Sequence, residues 1–346
     1  MADRRPRGAG LDGILVVAKP PGPTSHDVVA LVRRLAATRR VGHGGTLDPF
    51  ASGVLPVFLG RATRVVEYHL ADRKRYRATI CFGATSTTDD LEGELSPVAV
   101  PGPERAAVVS GLAALVGRII QTPPAYSAIK VAGRRAYALA RAGQKVEIEP
   151  REVEVFALEM VDWDDRDPER PIAIVDVECS AGTYVRALAR DLGAAIGNGA
   201  YLGALERTAS GPFLKSDAHS LDAVRDAAAA GPEGLRAMLL PIDFGLDAFP
   251  VVALEDPEVE AVSRGQPIRP AAPVGDLDAG PVRLMARDGS LVAIAVPRNG
   301  RLAPDKVFVL SSGDAVARPA AAAADLAPEL DPPPDVDPDP ATPDDV

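Results

Sequence analysis

Cysteine is almost missing from this chain. Its two cysteines, Cys81 and Cys179, lie far apart among 346 residues. They form no CxxC pair, which excludes a cysteine-based zinc site and fits a reducing compartment. Tryptophan occurs once, at Trp163, and histidine four times, at His26, His43, His69 and His219, without metal-ligand spacing. There is no GxxxxGK[ST] loop, no GxGxxG after a strand and no GxSxG elbow. No apolar run reaches the roughly 18 residues of a membrane helix. The basic opening MADRRPRGAG has no apolar stretch behind it long enough for a signal peptide. The expectation is a soluble, cytoplasmic protein that uses neither metal nor cofactor. A reaction run by a carboxylate alone is the kind that remains.

What is present is a long chain, 47% apolar, with 31 glycines and 33 prolines. That suffices for two domains, many turns and at least one unstructured segment. The net charge of −10 argues at first against a nucleic-acid partner. Its distribution reverses this. Residues 319–346 carry eight Asp/Glu and no Lys/Arg, whereas residues 1–215 hold 28 Lys/Arg against 25 Asp/Glu. The front two-thirds is mildly basic and permits RNA binding.

LDGILVVAKPPGPTS reads as a strand from Ile14 to Val17 and a proline-rich turn. Thr24 and Asp27 then form a capping-box pattern before a helix with Val28, Val29, Val32 and Leu35 on its apolar face. ADRKRYRATICFG alternates as a strand, TSTTDDLEGE is a polar turn and PERAAVVSGLAALVG a helix. Residues 123–151 form a basic insertion with Lys130, Arg134, Arg135, Arg141, Lys145 and Arg151. PIAIVDVECS reads as a strand, and AGTYVRALARDLGAAIG as a strand end turning into a helix. Helices and strands mix without βαβ alternation, so the predicted class is α+β. From Pro250 a small β-rich unit follows, with a hairpin turning at Asp288-Gly289 and a further strand at VFVL. The predicted organisation is a flexible basic N-terminus (1–9), a catalytic domain (10–248), a small β-rich domain (249–312) and a disordered acidic tail (313–346).

GGTLDPFASGVLPV, Gly44 to Val57, holds one ionisable residue, Asp48. Gly42, Gly44 and Gly45 allow positive φ and close approach of a bulky ligand. Pro49 biases Asp48 to extended geometry. The apolar neighbours Leu47, Phe50, Val54, Leu55 and Val57 make an unpaired carboxylate costly, so a cationic partner, usually arginine, is expected. An ordinary Asx turn fits the local pattern equally well. Arg186 fits a surface residue at a helix N-terminus, though a cation is unfavourable there, which supports a specific acidic partner.

Five stretches in order carry a resemblance: KPPGPTSHDVV, GHGGTLDPFASGVLPV, KRYRATICFG, PPAYSAIKVAGRRAYALAR and CSAGTYVRALARDLG. Together they resemble the bacterial tRNA pseudouridine synthase B (TruB) family over roughly residues 10–215. The resemblance implies a pseudouridine synthase fold with a mixed, largely antiparallel sheet and a PUA-like RNA-binding module after it. It implies isomerisation of uridine-55 in the tRNA T-loop, with Asp48 as catalytic carboxylate. His43, Tyr76, Tyr184, Arg186 and Leu205 fall on the family's substrate-binding positions, with Lys19 and Lys130 added as substrate contacts. The turn keeps an acidic Asp90 but reads Thr at 87, and GALERT has Glu206 where an arginine is common. Arg186 should pair with Asp48, lower its pKa and keep it ionised. Tyr76 could stack on a flipped base, and His43 could fill the vacated space. No cofactor or metal is implied, and a monomer is expected. The carboxylate's target stays open: the sugar, the uracil ring or a ribose proton. So do two rival readings, a non-catalytic RNA-binding or tRNA-folding protein, and a retaining glycosidase using Asp48 with Asp90.

Overall fold

The computed structural model describes residues 10–127, 129–131, 134–135, 148–269 and 280–308. Its centre is a ten-stranded mixed sheet. Strand β1 (Gly13–Lys19) pairs antiparallel with β3 (Ser52–Leu59), and β2 (Val41–His43) pairs with the far half of β3. Beyond β3 lie Ala200–Ser210, then β4 (Lys74–Phe82), Ile172–Cys179, Arg151–Asp164 and Gly117–Gln121. Among the described residues, the parallel pairings of this large sheet are β1 with His219–Ser220 and β3 with Ala200–Ser210. The α+β class and the largely antiparallel sheet are as expected.

Alternation decides which side chains face inward. In β4, Ala78 and Ile80 point into the core, while Arg75 and Arg77 point out to Glu178 and Asp176 on the neighbouring strand. Helix α1 (Ser25–Leu35) has the predicted capping box, Thr24 with Asp27, and buries Val28, Val29 and Val32. The helix Val185–Ile196 contributes to the same core, burying Val185, Leu188 and Leu192. No helix among the described residues is long and apolar enough to cross a membrane.

Two expectations need correction. EIEPREV, read as the end of the insertion, opens a 14-residue strand, Arg151–Asp164, at the side of the sheet. The last strand among the described residues is Arg301–Val307, which begins earlier than the strand expected at VFVL; Val309 and Leu310 lie outside the described residues. An Asn299-Gly300 turn, both residues at positive φ, starts that strand early, and Phe308 instead plugs an apolar cluster. The small four-stranded sheet after Pro250 has its own core around Leu284 and Val292. Yet Leu291, Ile294 and Phe308 share a second core with Ile14, Val16 and Phe58 of the large sheet. The predicted hairpin turn is present, with Gly289 donating to the Ala286 carbonyl. Residues 1–9 and the acidic tail lie outside the described residues, as do Arg141 and Lys145. Lys130–Val131 and Arg134–Arg135 pair as two short strands, with the side chains of Lys130, Arg134 and Arg135 outside the description.

Candidate active site

Asp48 sits in a loop between β2 and β3, and three buried polar side chains hold that loop by its backbone. The Arg207 guanidinium donates to the carbonyls of Gly45 (3.1 Å) and Thr46 (3.3 Å). Ser25 brackets Leu47, its hydroxyl accepting from the amide (2.9 Å) and donating to the carbonyl (3.2 Å). The Lys19 ammonium donates to Pro49 (3.1 Å), Ala51 (2.7 Å) and Pro20 (3.0 Å). Lys19 was expected to touch substrate; it is buried, with its ammonium on backbone carbonyls. Burial pushes its pKa down to about 8, so it remains a cation at pH 7.

The carboxylate itself meets Arg186. Nη2 donates to Asp48 Oδ1 at 3.2 Å, and Nε lies 3.0 Å from Oδ2. The same guanidinium reaches Asp90 Oδ2 (3.2 Å) and the carbonyls of Thr88 (3.1 Å) and Tyr126 (3.0 Å). This explains a cation at a helix N-terminus: two carboxylates and two carbonyls outweigh the unfavourable dipole. Arg186 and Asp90 side chains are each 4% exposed, whereas Asp48 is 33% exposed. The pair is therefore anchored on the protein side and open on the carboxylate side.

Arg186 pairs with Asp48 as expected, but the net shift of Asp48 runs the other way. Burial pushes its carboxyl above the ordinary 3.8, and nearby Asp90 adds to the rise; Arg186 is the chief opposing influence. Asp90 is not a second catalytic carboxylate of the glycosidase kind. It is buried, accepts from Thr88 Oγ1 and the Glu92 amide, and braces Arg186. Thr87 is exposed and ties the turn, its hydroxyl accepting from the Glu94 amide at 3.0 Å.

Tyr76 lies on β4 directly opposite Arg207, and its hydroxyl meets that guanidinium. Burial raises the phenol pKa. Leu205 is buried two residues before Arg207 on the same strand face, in the core that also holds Leu47. His43 ends β2, with the His26 ring edge-on at 5.7 Å. Burial, helped by His26 and Arg207, pushes it down to about 4, so it is a neutral imidazole at pH 7. Tyr184 caps the helix that carries Arg186, its amide and carbonyl bracketed by Gln121 (2.8 and 3.1 Å), with Arg151 over its ring at 5.0 Å. Glu206 pairs outward with Lys215 at 2.6 Å.

The glycines do different work from that expected. Only Gly45 of the three named has positive φ, and a methyl on Gly44 would press on the Phe58 ring. Gly53, which the sequence did not single out, is the tight one: at φ +104° a Cβ would lie 2.2 Å from the Arg207 carbonyl. Arg207 was also missed. Its signal was alternation, since Leu205, Arg207 and Ala209 share the inward face.

The family description "TruB family pseudouridylate synthase (N terminal domain)" matches residues 33–185, and "tRNA pseudouridylate synthase B C-terminal domain" matches 186–247. The chain belongs to the TruB pseudouridylate synthase family. Among its relatives, the tRNA pseudouridine synthase B of Thermobifida fusca is 46% identical over 303 residues, covering 86% of this chain and 98% of that protein. The Bradyrhizobium diazoefficiens enzyme of the same name is 42% identical over 302 residues, 86% of each. Among solved structures, the archaeal box H/ACA sRNP Nop10-Cbf5 complex aligns with a TM-score of 0.65 at 27% identity, covering 90% of each chain. A related H/ACA RNP, bound to a substrate RNA containing 2'-deoxyuridine, gives the same TM-score at 26% identity, over 89% of this chain and 88% of that one. In TruB terms, the boundary between the two matched segments falls between Val185 and Arg186, at the start of the helix that carries the Asp48 partner.

Proposed function

We propose that this TruB-family chain is a tRNA pseudouridine synthase that converts uridine-55 of the T-loop, with Asp48 as the catalytic carboxylate. The observation carrying the assignment is the Asp48–Arg186 pair, a carboxylate held from behind by a buried guanidinium and one-third open to a ligand. Family membership supplies the reaction type, and the resemblance of the LDP motif supplies the residue.

The reaction breaks the C1'–N1 bond, turns the uracil and forms a C1'–C5 bond. C5 loses its hydrogen to solvent and N1 gains one, so no oxidant or reductant is consumed. Whether the carboxylate adds to the sugar, adds to the ring or takes a ribose proton, it must be ionised and face the nucleoside. Arg186 serves the first need and the open side of Asp48 the second. A uridine inside a folded loop must leave its stack, at a cost of a few kcal/mol. Stacking on Tyr76, of about 1–3 kcal/mol, offsets part of this. A neutral His43 suits a place among bases better than one against phosphates. The basic insertion with Lys130 would grip the RNA backbone, and the small sheet after Pro250 would act as a PUA-like RNA-binding module. Lys19 acts through the loop that it holds.

Tritium release from C5-labelled uridine in a T-arm hairpin tests this directly. Wild type should release tritium, while Asp48→Asn should release none and keep hairpin affinity within a few-fold. Activity in Asp48→Asn would sink the residue assignment. Tight hairpin binding without release by wild type would favour the non-catalytic RNA-binding reading.

A further inference from the structure

Arg207 is the largest fully buried side chain among the described residues, 1% exposed. Among the described residues no carboxylate pairs with it. An isolated buried cation is expensive even after relaxation, so its donors must be engaged. Nε donates to the Val54 carbonyl at 2.7 Å, Nη1 to Thr46 at 3.3 Å and Nη2 to Gly45 at 3.1 Å, while the Tyr76 hydroxyl faces the same group. One planar group thereby joins the loop that carries Asp48, the strand that follows it and the tyrosine on the adjacent strand. Ser25 and Lys19 also hold the loop, but only Arg207 links it to Tyr76. Backbone packing fixes Arg207 from behind, because Gly53 leaves no room between β3 and the Arg207 main chain.

We infer that Arg207 is a positioning residue for the reaction, setting the Asp48 loop and Tyr76 in register through one guanidinium; this rests on the reading of Asp48 as the catalytic carboxylate. The fork shape is what the role needs. A lysine ammonium keeps the charge but donates from one point, so it cannot reach Gly45, Thr46, Val54 and Tyr76 together.

The test compares Arg207→Lys and Arg207→Gln with Val16→Ala, which removes buried volume from β1 in the second core. All are assayed on the T-arm hairpin at a temperature well below their unfolding midpoints. Both Arg207 variants should lose at least about 100-fold in single-turnover rate at saturating RNA, as expected for a displacement of about 1 Å at a reacting group. Hairpin affinity should stay within about threefold, and Lys should not rescue. A role in stability alone would leave the rate near wild type, as for Val16→Ala. Wild-type turnover in folded Arg207→Lys would overturn the inference. Denaturant unfolding of Tyr76→Phe, Arg207→Lys and the double variant gives a second reading that needs no activity. The midpoint losses should combine less than additively, and strict additivity would remove the link between the two side chains. If wild type itself releases no tritium, the proposed reaction fails, while this cycle still reports on the link.

Discussion

Replacing Arg186 with lysine removes a shape and keeps a charge. The guanidinium meets Asp48 with two nitrogens at 3.0 and 3.2 Å, Asp90 at 3.2 Å and the Thr88 and Tyr126 carbonyls at 3.1 and 3.0 Å. An ammonium has three donors radiating from one atom, so at least one buried acceptor is stranded, at about 1–3 kcal/mol each. Asp90, buried beside the vacated space, is the acceptor least able to turn to water. The fold should survive with a lowered melting temperature. Catalysis should suffer more. An Asp48 displaced by about 1 Å costs roughly 100-fold in rate, equivalent to about 2.7 kcal/mol. The pH profile gives the sharper reading. Arg186 is the main influence that lowers the Asp48 pKa against burial. Weakening the pair should therefore move the acid limb of turnover to higher pH, with partial recovery of rate as pH rises. Tritium release measured from pH 5 to 9 (the span where RNA and protein are both handled routinely) checks this. Arg186→Lys turning over within twofold of wild type, with its acid limb unmoved, would refute the reasoning.

Gly53→Ala should be among the most destabilising single-methyl additions in the chain, about 4 kcal/mol or more, since positive φ and a 2.2 Å approach to the Arg207 carbonyl act together. Thermal unfolding of the purified variant is the check, and a melt unchanged from wild type would contradict the close packing of β3. His43, pushed down to about 4, should show no titration in its imidazole resonances between pH 5.5 and 8. Its folded pKa lies below the unfolded one, so its contribution to stability is present above about pH 6.5 and is lost as pH falls towards 4. Asp48 runs the opposite way to a paired surface carboxylate. Its raised pKa means that its stability contribution is present below the ordinary 3.8 and lost as pH rises through the raised value. Asp48→Asn should flatten that part of the stability–pH curve.

Local patterns were legible where one periodicity or one motif sufficed. The capping box at Thr24 and Asp27, the alternation of KRYRATICF and the amphipathic run after Tyr184 each follow from neighbours within a few residues. The Asn299-Gly300 turn was equally local and passed unread, which cost the last strand its register. Asp48 stood out because a carboxylate among apolar residues requires a partner, and a cation misplaced at a helix N-terminus supplied one. Arg207 was harder. Inward alternation marks it, but an arginine facing inward on a strand is readable only once the strand's other face is known.

Composition and motif order by themselves determined the α+β class, the family resemblance and the need of Asp48 for a cationic partner, because each depends on residue identity and short-range spacing; the resemblance then named Arg186. Tertiary structure alone decided how the charges behave. The sign of the Asp48 shift is set by how much protein surrounds it, the role of Asp90 by its burial behind Arg186, and the inward posture of Lys19 by carbonyls that the fold brings to its ammonium. Those quantities are sums over neighbours far apart in the chain. They come into existence only when β3, β4 and the strand Ala200–Ser210 lie side by side.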